Sequence, residues 1–270
     1  MIDSARTSRN LTLPSINQDD LKYDPFPTLR NWFSRIEKIV PQKRILLCLD
    51  EFERLEEVIT VTNSRAPLNF FRHLIQDKPA WTLLFSGSHT LDEIEDYWSD
   101  YLINTRSVFI SYLKEDEAEE LIKHPVPDFP DIYLPETVKR IIYWTRCQPY
   151  LVQLLCSELV YYLNEKYPEN SLNSKATPED VDNIIDPALI SGGQYFHELW
   201  KISLTKEQRN CIIDMVEVEK CASLNPKILG KLVEKEIIEK KGENFRFQVP
   251  LIERSIRAKI EEEASTTSIR

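Results

Sequence analysis

Glycine is scarce in this chain: five among 270 residues, at Gly87, Gly192, Gly193, Gly230 and Gly242. None precedes Ile45, so no GxxxxGK[ST] loop, whose backbone N–H groups cradle phosphates, stands ahead of the first strand-like run. Gly192-Gly193 is too isolated to serve as one. Histidine is no richer: His73, His89, His124 and His197 never pair at a ligand spacing such as HExxH, which excludes a zinc hydrolase of that type. Cys48, Cys147, Cys156, Cys211 and Cys221 are odd in number, widely spaced and without a CxxC pair, so they read as buried or incidental thiols. No apolar run approaches a membrane span, and the opening MIDSARTSRNLTLPS has no apolar h-region; a cytoplasmic location without membrane contact is the expectation. An excess of positive charge is missing as well. At a net charge of -10 and a pI near 5.1 the whole surface does not suit nucleic acid, although a local basic patch is compatible with it.

What is present is enough apolar material, 42% hydrophobic and 10% aromatic, to bury a sizeable core over roughly two domains. The chain centres on ILLCLDEFERL, residues 45 to 55. Its apolar run has strand length and ends in two adjacent acids, Asp50 and Glu51, as a buried parallel strand does when it delivers carboxylates to a sheet's C-terminal edge. The plainer reading is a core strand followed by a helix whose first turn favours acids.

Residues 1 to 28, with Pro14, Pro25 and Pro27, read as an irregular lead-in. An amphipathic helix over Leu29 to Val40 precedes the first strand, and a second helix, about Pro67 to Gln76, follows it. Trp81 to Phe85 repeats the strand pattern and ends in Ser86, Gly87 and Ser88; a serine-glycine turn that merely ends the strand explains this equally well. Ser107 to Ser111 is a third strand candidate. Alternating strands and helices imply a parallel sheet with crossover connections. From Leu113 the pattern turns helical, with an acidic-fronted helix stopped by Pro125 and two long helices separated at Gln148-Pro149. A polar linker, roughly Glu165 to Glu179, leads toward a C-terminal domain. There Thr205 with Gln208 forms a capping box, Asn225-Pro226 opens a further helix, and IIEKKGENFRFQV reads as a hairpin turning at KKGEN. Helix, helix and wing together read as a winged helix. Residues 201 to 260 carry nine Lys, four Arg and nine acids, an excess of four positive charges, and Lys227, Lys231 and Lys235 recur at i, i+4 and i+8. That stripe suits phosphate or base contacts, but Glu234, Glu236 and Glu239 beside it favour an intramolecular or protein-docking role over DNA.

Asp50-Glu51 after its strand, the FSGS turn, YLINTRSVFISYLKEDEAEELI and TRCQPYLVQLLCSELV, in this order and spacing, resemble the ATPase core of the STAND and archaeal-type AAA+ ATPases over roughly residues 30 to 164. The resemblance implies an α/β fold: an incomplete parallel P-loop-NTPase sheet with a helical lid, followed by a winged-helix domain. Asp50 would then be the Walker B acid that helps hold Mg²⁺ through water, and Glu51 the catalytic acid that positions the attacking water. Ser86 or Ser88 would be the γ-phosphate sensor. Arg146, Gln148 and Pro149 would lie on the nucleotide-facing lid, where Cys147 stands in place of the family's usual glycine.

The resemblance divides the chain into a partial core with Walker B and sensor over 1–112, a lid and linker over 113–200, a winged helix over 201–262 and a disordered tail over 263–270. In such a family the module is an ATP-driven regulatory switch using ATP and Mg²⁺ and acting on an effector domain or protein. Lacking the phosphate loop, this chain reads as the portion downstream of it. It is expected neither to bind nor to hydrolyse ATP by itself, possession of any cofactor by this portion being open, and to depend on an upstream P-loop-bearing segment or a protein partner. The competing reading is a nucleotide-independent module, a pseudo-ATPase whose winged helix contacts protein or DNA.

Overall fold

A computed structural model describes residues 11–88, 94, 97–167, 175–218 and 225–267, and the side chains of all of these but 217, 218 and 263–267; His89 and Cys221 lie outside these residues. The chain divides into two compact units, Met1–Val108 and Phe109–Arg270.

The first unit starts with helices α1 (Gln18–Tyr23) and α2 (Pro25–Ile39). The expected irregular lead-in is therefore helical from Gln18. The prolines mislead because a helix's first turn has no use for its N–H groups, so Pro25 and Pro27 open α2 rather than break it. Asn17 caps α1 by accepting from the Asp19 N–H at 2.9 Å. Strand β1 (Ile45–Leu49), a 3₁₀ turn (Phe52–Arg54), α3 (Leu55–Thr62), α4 (Ala66–Asp77), β2 (Trp81–Phe85) and α5 (Tyr97–Leu102) follow.

β1 and β2 pair in parallel, Ile45 against Trp81 through Leu49 against Phe85. One face of this sheet packs against Trp32, Phe33, Ile36, Phe70, Phe71 and Leu74, with Phe33 stacked on Trp81 at 4.2 Å between ring centres. The opposite face is open. Leu46 keeps 60% and Leu84 52% of its surface in water, and Cys48 is exposed beside them. β1 is thus covered on one side only, not buried as its unbroken apolar run suggests, because no described helix lies over the second face. Ser107–Ser111 forms no strand either. Val108, Phe109 and Ile110 are exposed, since strand propensity without a neighbouring strand yields no ladder.

The second unit holds α6 (Glu115–Lys123), α7 (Pro135–Thr145), α8 (Pro149–Lys166), α9 (Pro178–Asn183), α10 (Ile185–Ser191) and α11 (Gly193–Glu198), which runs into a π turn (Leu199–Ser203). α12 (Lys206–Val218), α13 (Pro226–Glu234), the antiparallel hairpin of β3 (Ile238–Lys241) and β4 (Asn244–Phe247), and α14 (Pro250–Thr267) complete it. α8 is its spine: Leu151, Val152, Leu155, Leu159 and Leu163 are all buried. They share one core with Ile212, Leu232, Ile238 and Ile252 from the C-terminal elements. The capping box forms as its residue types require, Thr205 N–H donating to Gln208 Oε1 at 2.9 Å and Gln208 N–H to Thr205 Oγ1 at 3.2 Å. Gly242 turns the hairpin at φ +65°, the left-handed region that glycine enters without penalty.

Two expectations shift here. The polar linker is short, because α8 extends through Lys166 and Thr177 already caps α9. The tail expected to be disordered from 263 continues α14 as far as Thr267, as its helix-favouring Glu run allows. No helix among the described residues is long and apolar enough to cross a membrane.

Candidate functional site

The parallel register sets the ends of β1 and β2 side by side, and the acids and serines emerge there together. Ser86 N–H donates to the Leu49 carbonyl at 2.9 Å, extending the ladder by one step, and Phe52 N–H returns to the Ser86 carbonyl at 3.1 Å. Ser86 Oγ also donates to Asp50 Oδ1, at 2.7 Å. The same Oδ1 accepts the Glu51 N–H at 3.1 Å. The two strand ends are joined through Asp50.

Glu51 adopts the left-handed conformation, φ 49° and ψ 45°, which sharply reverses the chain between β1 and the 3₁₀ turn. Its side chain is exposed and pairs with Arg54 Nη1 at 3.1 Å, a contact that water screens heavily. Phe52, immediately after it, is buried against Phe85 and Trp98 at 5.5 and 5.7 Å between ring centres. That anchor holds the turn in place. Glu56 reinforces it by accepting from Tyr97 Oη at 2.6 Å and Trp98 Nε1 at 2.6 Å. Desolvation, then the Glu56 hydrogen bond and charge, push the Tyr97 hydroxyl up to about 12, so it remains a donor.

The two serines part company. Ser86 meets Asp50, whereas Ser88 gives both its N–H and its Oγ to Glu53 Oε1 at 2.9 Å each. Glu53 is not among the acids that the strand-end pattern singles out. Its signal was a third acid placed three residues after Asp50, opposite a serine-rich turn.

In the second unit Arg146 and Cys147 both take positive φ, 48° and 65°. The left-handed backbone at Cys147 is the kind glycine favours, here occupied by a residue with a Cβ. Cys147 is buried, and burial first, then the Glu115 charge, push its thiol up. Gln148 uses its side-chain oxygen to cap α8, accepting from Leu151 N–H at 2.7 Å, and Pro149 occupies the first turn where its missing N–H is harmless. Arg146 is exposed, its guanidinium 5.7 Å from the Tyr143 ring centre. Of these three, Arg146 has the charge to meet an anion. Of the lysine stripe, Lys227 is exposed and Lys231 half-buried, but Lys235 turns inward and donates to the Ser203 carbonyl at 2.7 Å. The three lysines therefore do not act as one outward row.

Chemically, the first-unit cluster offers hard oxygen ligands and hydroxyl donors. Among the described residues no group of three or more His, Cys, Asp or Glu is placed to hold a metal ion. A cation that keeps most of its waters, as Mg²⁺ does, suits a single exposed carboxylate better than one needing a full protein cage.

Parallel strands that deliver acids and serines to one edge make the first unit an α/β unit, and the second is mostly helical. Among solved structures, the Walker-type ATPase PABY2304 of Pyrococcus abyssi has a similar fold, at a TM-score of 0.51 and 14% identity over 94% of this chain and 75% of that one. No protein-family model and no curated protein matches the chain.

Proposed function

We propose that the chain is the acid-and-sensor portion of an ATP-driven regulatory switch of the STAND or archaeal AAA+ kind. The observation that carries this is the Ser86 Oγ to Asp50 Oδ1 hydrogen bond at 2.7 Å, made where two parallel strands end side by side. A strand-end acid held by a hydroxyl of the next strand is oriented before any ligand arrives. Bound Mg²⁺ would neutralise developing charge on the phosphates. Asp50 would hold it through water, Ser86 would keep Asp50 aimed, and Glu51 would orient the attacking water. Arg146 is the lid residue suited to sensing phosphate. On this reading α12, α13 and the β3–β4 hairpin form a winged helix that docks on protein, an effector or another part of the switch, and the protein works in the cytoplasm. DNA is the less favoured partner, since Lys235 is committed to Ser203 and the regional charge excess is small.

The phosphate half of the site is not among these 270 residues, which contain no GxxxxGK[ST]. Each charge-assisted bond to phosphate contributes on the order of 1.5 to 3 kcal/mol, and about 4 kcal/mol is a thousandfold in affinity. ATP binding on this reading needs a P-loop-bearing segment, in the same polypeptide or in trans. The open sheet face with Leu46 and Leu84 suits coverage by such a βα unit, as parallel sheets are covered on both faces. The second reading, a pseudo-ATPase that binds partners without nucleotide, draws on the same missing loop. Mg²⁺-dependent ATP affinity, measured with and without an added P-loop segment, separates the two: affinity that appears only with the segment supports the switch, and affinity absent from both supports the pseudo-ATPase.

A further inference from the structure

The third acid after β1 has no role in the site as proposed, yet the turn after β2 is built on it. Glu53 Oε1 accepts both the N–H and the Oγ of Ser88 at 2.9 Å. Gly87 lies so close over the same carboxylate that a Cβ there would stand 2.0 Å from Oε2. Ser86, next in line, gives its hydroxyl to Asp50 at 2.7 Å. Three consecutive residues are therefore held between two acids of one short segment. Glu51, on the same segment, shows the alternative an exposed acid has: it turns outward to Arg54. Glu53 instead turns in against the serine turn.

We infer that Glu53 is a positioning residue: through Ser88 and the bare Cα of Gly87 it fixes the Ser86-Gly87-Ser88 turn and so aims the Ser86 hydroxyl at Asp50. The inference rests on reading Asp50 and Ser86 as the acid and sensor of the site. A carboxylate accepting from an N–H and an O–H is a strong clamp, since hydrogen bonds to an ionised acceptor are stronger than neutral ones. Glutamine retains an acceptor oxygen at the same reach, aspartate falls one carbon short, and alanine offers nothing.

The test uses the full 270-residue protein and no nucleotide. Amide hydrogen exchange at Ser88 and the side-chain carboxylate ¹³C resonance of Asp50 are followed by NMR in the wild type, Glu53→Ala, Glu53→Asp, Glu53→Gln and Ser86→Ala. In Glu53→Ala, Ser88 exchange is expected to accelerate on the order of tenfold, with the Asp50 resonance moving to its position in Ser86→Ala. Glu53→Asp is expected to reproduce both changes while keeping the charge, and Glu53→Gln to restore both toward wild type. The amides of Ile45–Leu49 are expected to stay as they are in every variant, which a general loosening of the fold would not allow. An Asp50 resonance unmoved in Glu53→Ala and Glu53→Asp, or Ser88 exchange unchanged in both, would overturn the inference. Turnover of ATP with a P-loop segment supplied is scored apart: its absence in the wild type counts against the site, while the Glu53 result stands on the NMR alone.

Discussion

Ser86 contributes one hydroxyl at the tip of β2, and the orientation of Asp50 follows from it. Both groups are exposed, so Ser86→Ala is expected to cost no more than about 1 kcal/mol of stability, measured by urea unfolding. With a P-loop supplied, its effect is expected to fall mainly on turnover, because a freed Asp50 no longer meets the cation in one fixed orientation. Arg146 makes the opposite case. Its left-handed φ of 48° strains a residue with a Cβ, so Arg146→Gly is expected to stabilise the second unit by about 1 kcal/mol while removing the exposed cation ahead of α8. Lower stability in Arg146→Gly would mean that the guanidinium over Tyr143 contributes more than the strain takes away. Asp180 gives a pH signature. Burial alone would raise its carboxyl, but hydrogen bonds from Lys166 and from Thr177 outweigh burial and hold it below the usual range. A depressed carboxyl adds stability above its unfolded value, about 3.9, and loses it as the pH falls through the folded value. Asp180→Asn is therefore expected to lower stability at neutral pH and to flatten the acid limb below about pH 4, read from unfolding midpoints between pH 7 and 2.

The elements most legible in the sequence carry their own boundary chemistry. Ile45–Leu49 and Trp81–Phe85 end where apolar runs meet polar residues, and the Thr205-Gln208 box and the Asn225 cap are local events that need no tertiary partner. Thr205→Ala is expected to cost about 1 kcal/mol, the usual worth of a cap, in thermal or urea unfolding. Less legible were features set by what lies alongside. Pro25 reads as a breaker until its place in the first turn of α2 is known. Val108-Phe109-Ile110 has the composition of a strand, yet composition does not supply the neighbour that would make it one. The alternating exposure of β1 likewise depends on a covering layer that a run of apolar residues cannot reveal. Glu53 was missed because its partner, Ser88, stands 35 residues further along the chain. Leu46→Lys and Leu84→Lys follow from the open face: each is expected to leave stability within about 0.5 kcal/mol and to reduce self-association, as judged by sedimentation at rising protein concentration.

Across the whole molecule, the strand-end acids and the C-terminal elements fall in separate compact units. The first carries the strand-end acids and serines on a small sheet, and the second gathers its helices and the C-terminal hairpin about one core. The central claim, that residues 50, 51 and 86 serve ATP once a phosphate loop is present, is met most directly by Mg²⁺-dependent ATP binding and turnover in three samples. These are the 270-residue chain, the chain supplied with a P-loop-bearing segment, and the supplied chain with Glu51→Gln. The expected result is neither binding nor turnover in the first, both in the second, and in the third binding close to the second with turnover reduced by at least about a hundredfold, as for loss of a group that acts on the attacking water. Robust turnover by the 270 residues alone, or an unaltered rate in Glu51→Gln, would contradict it.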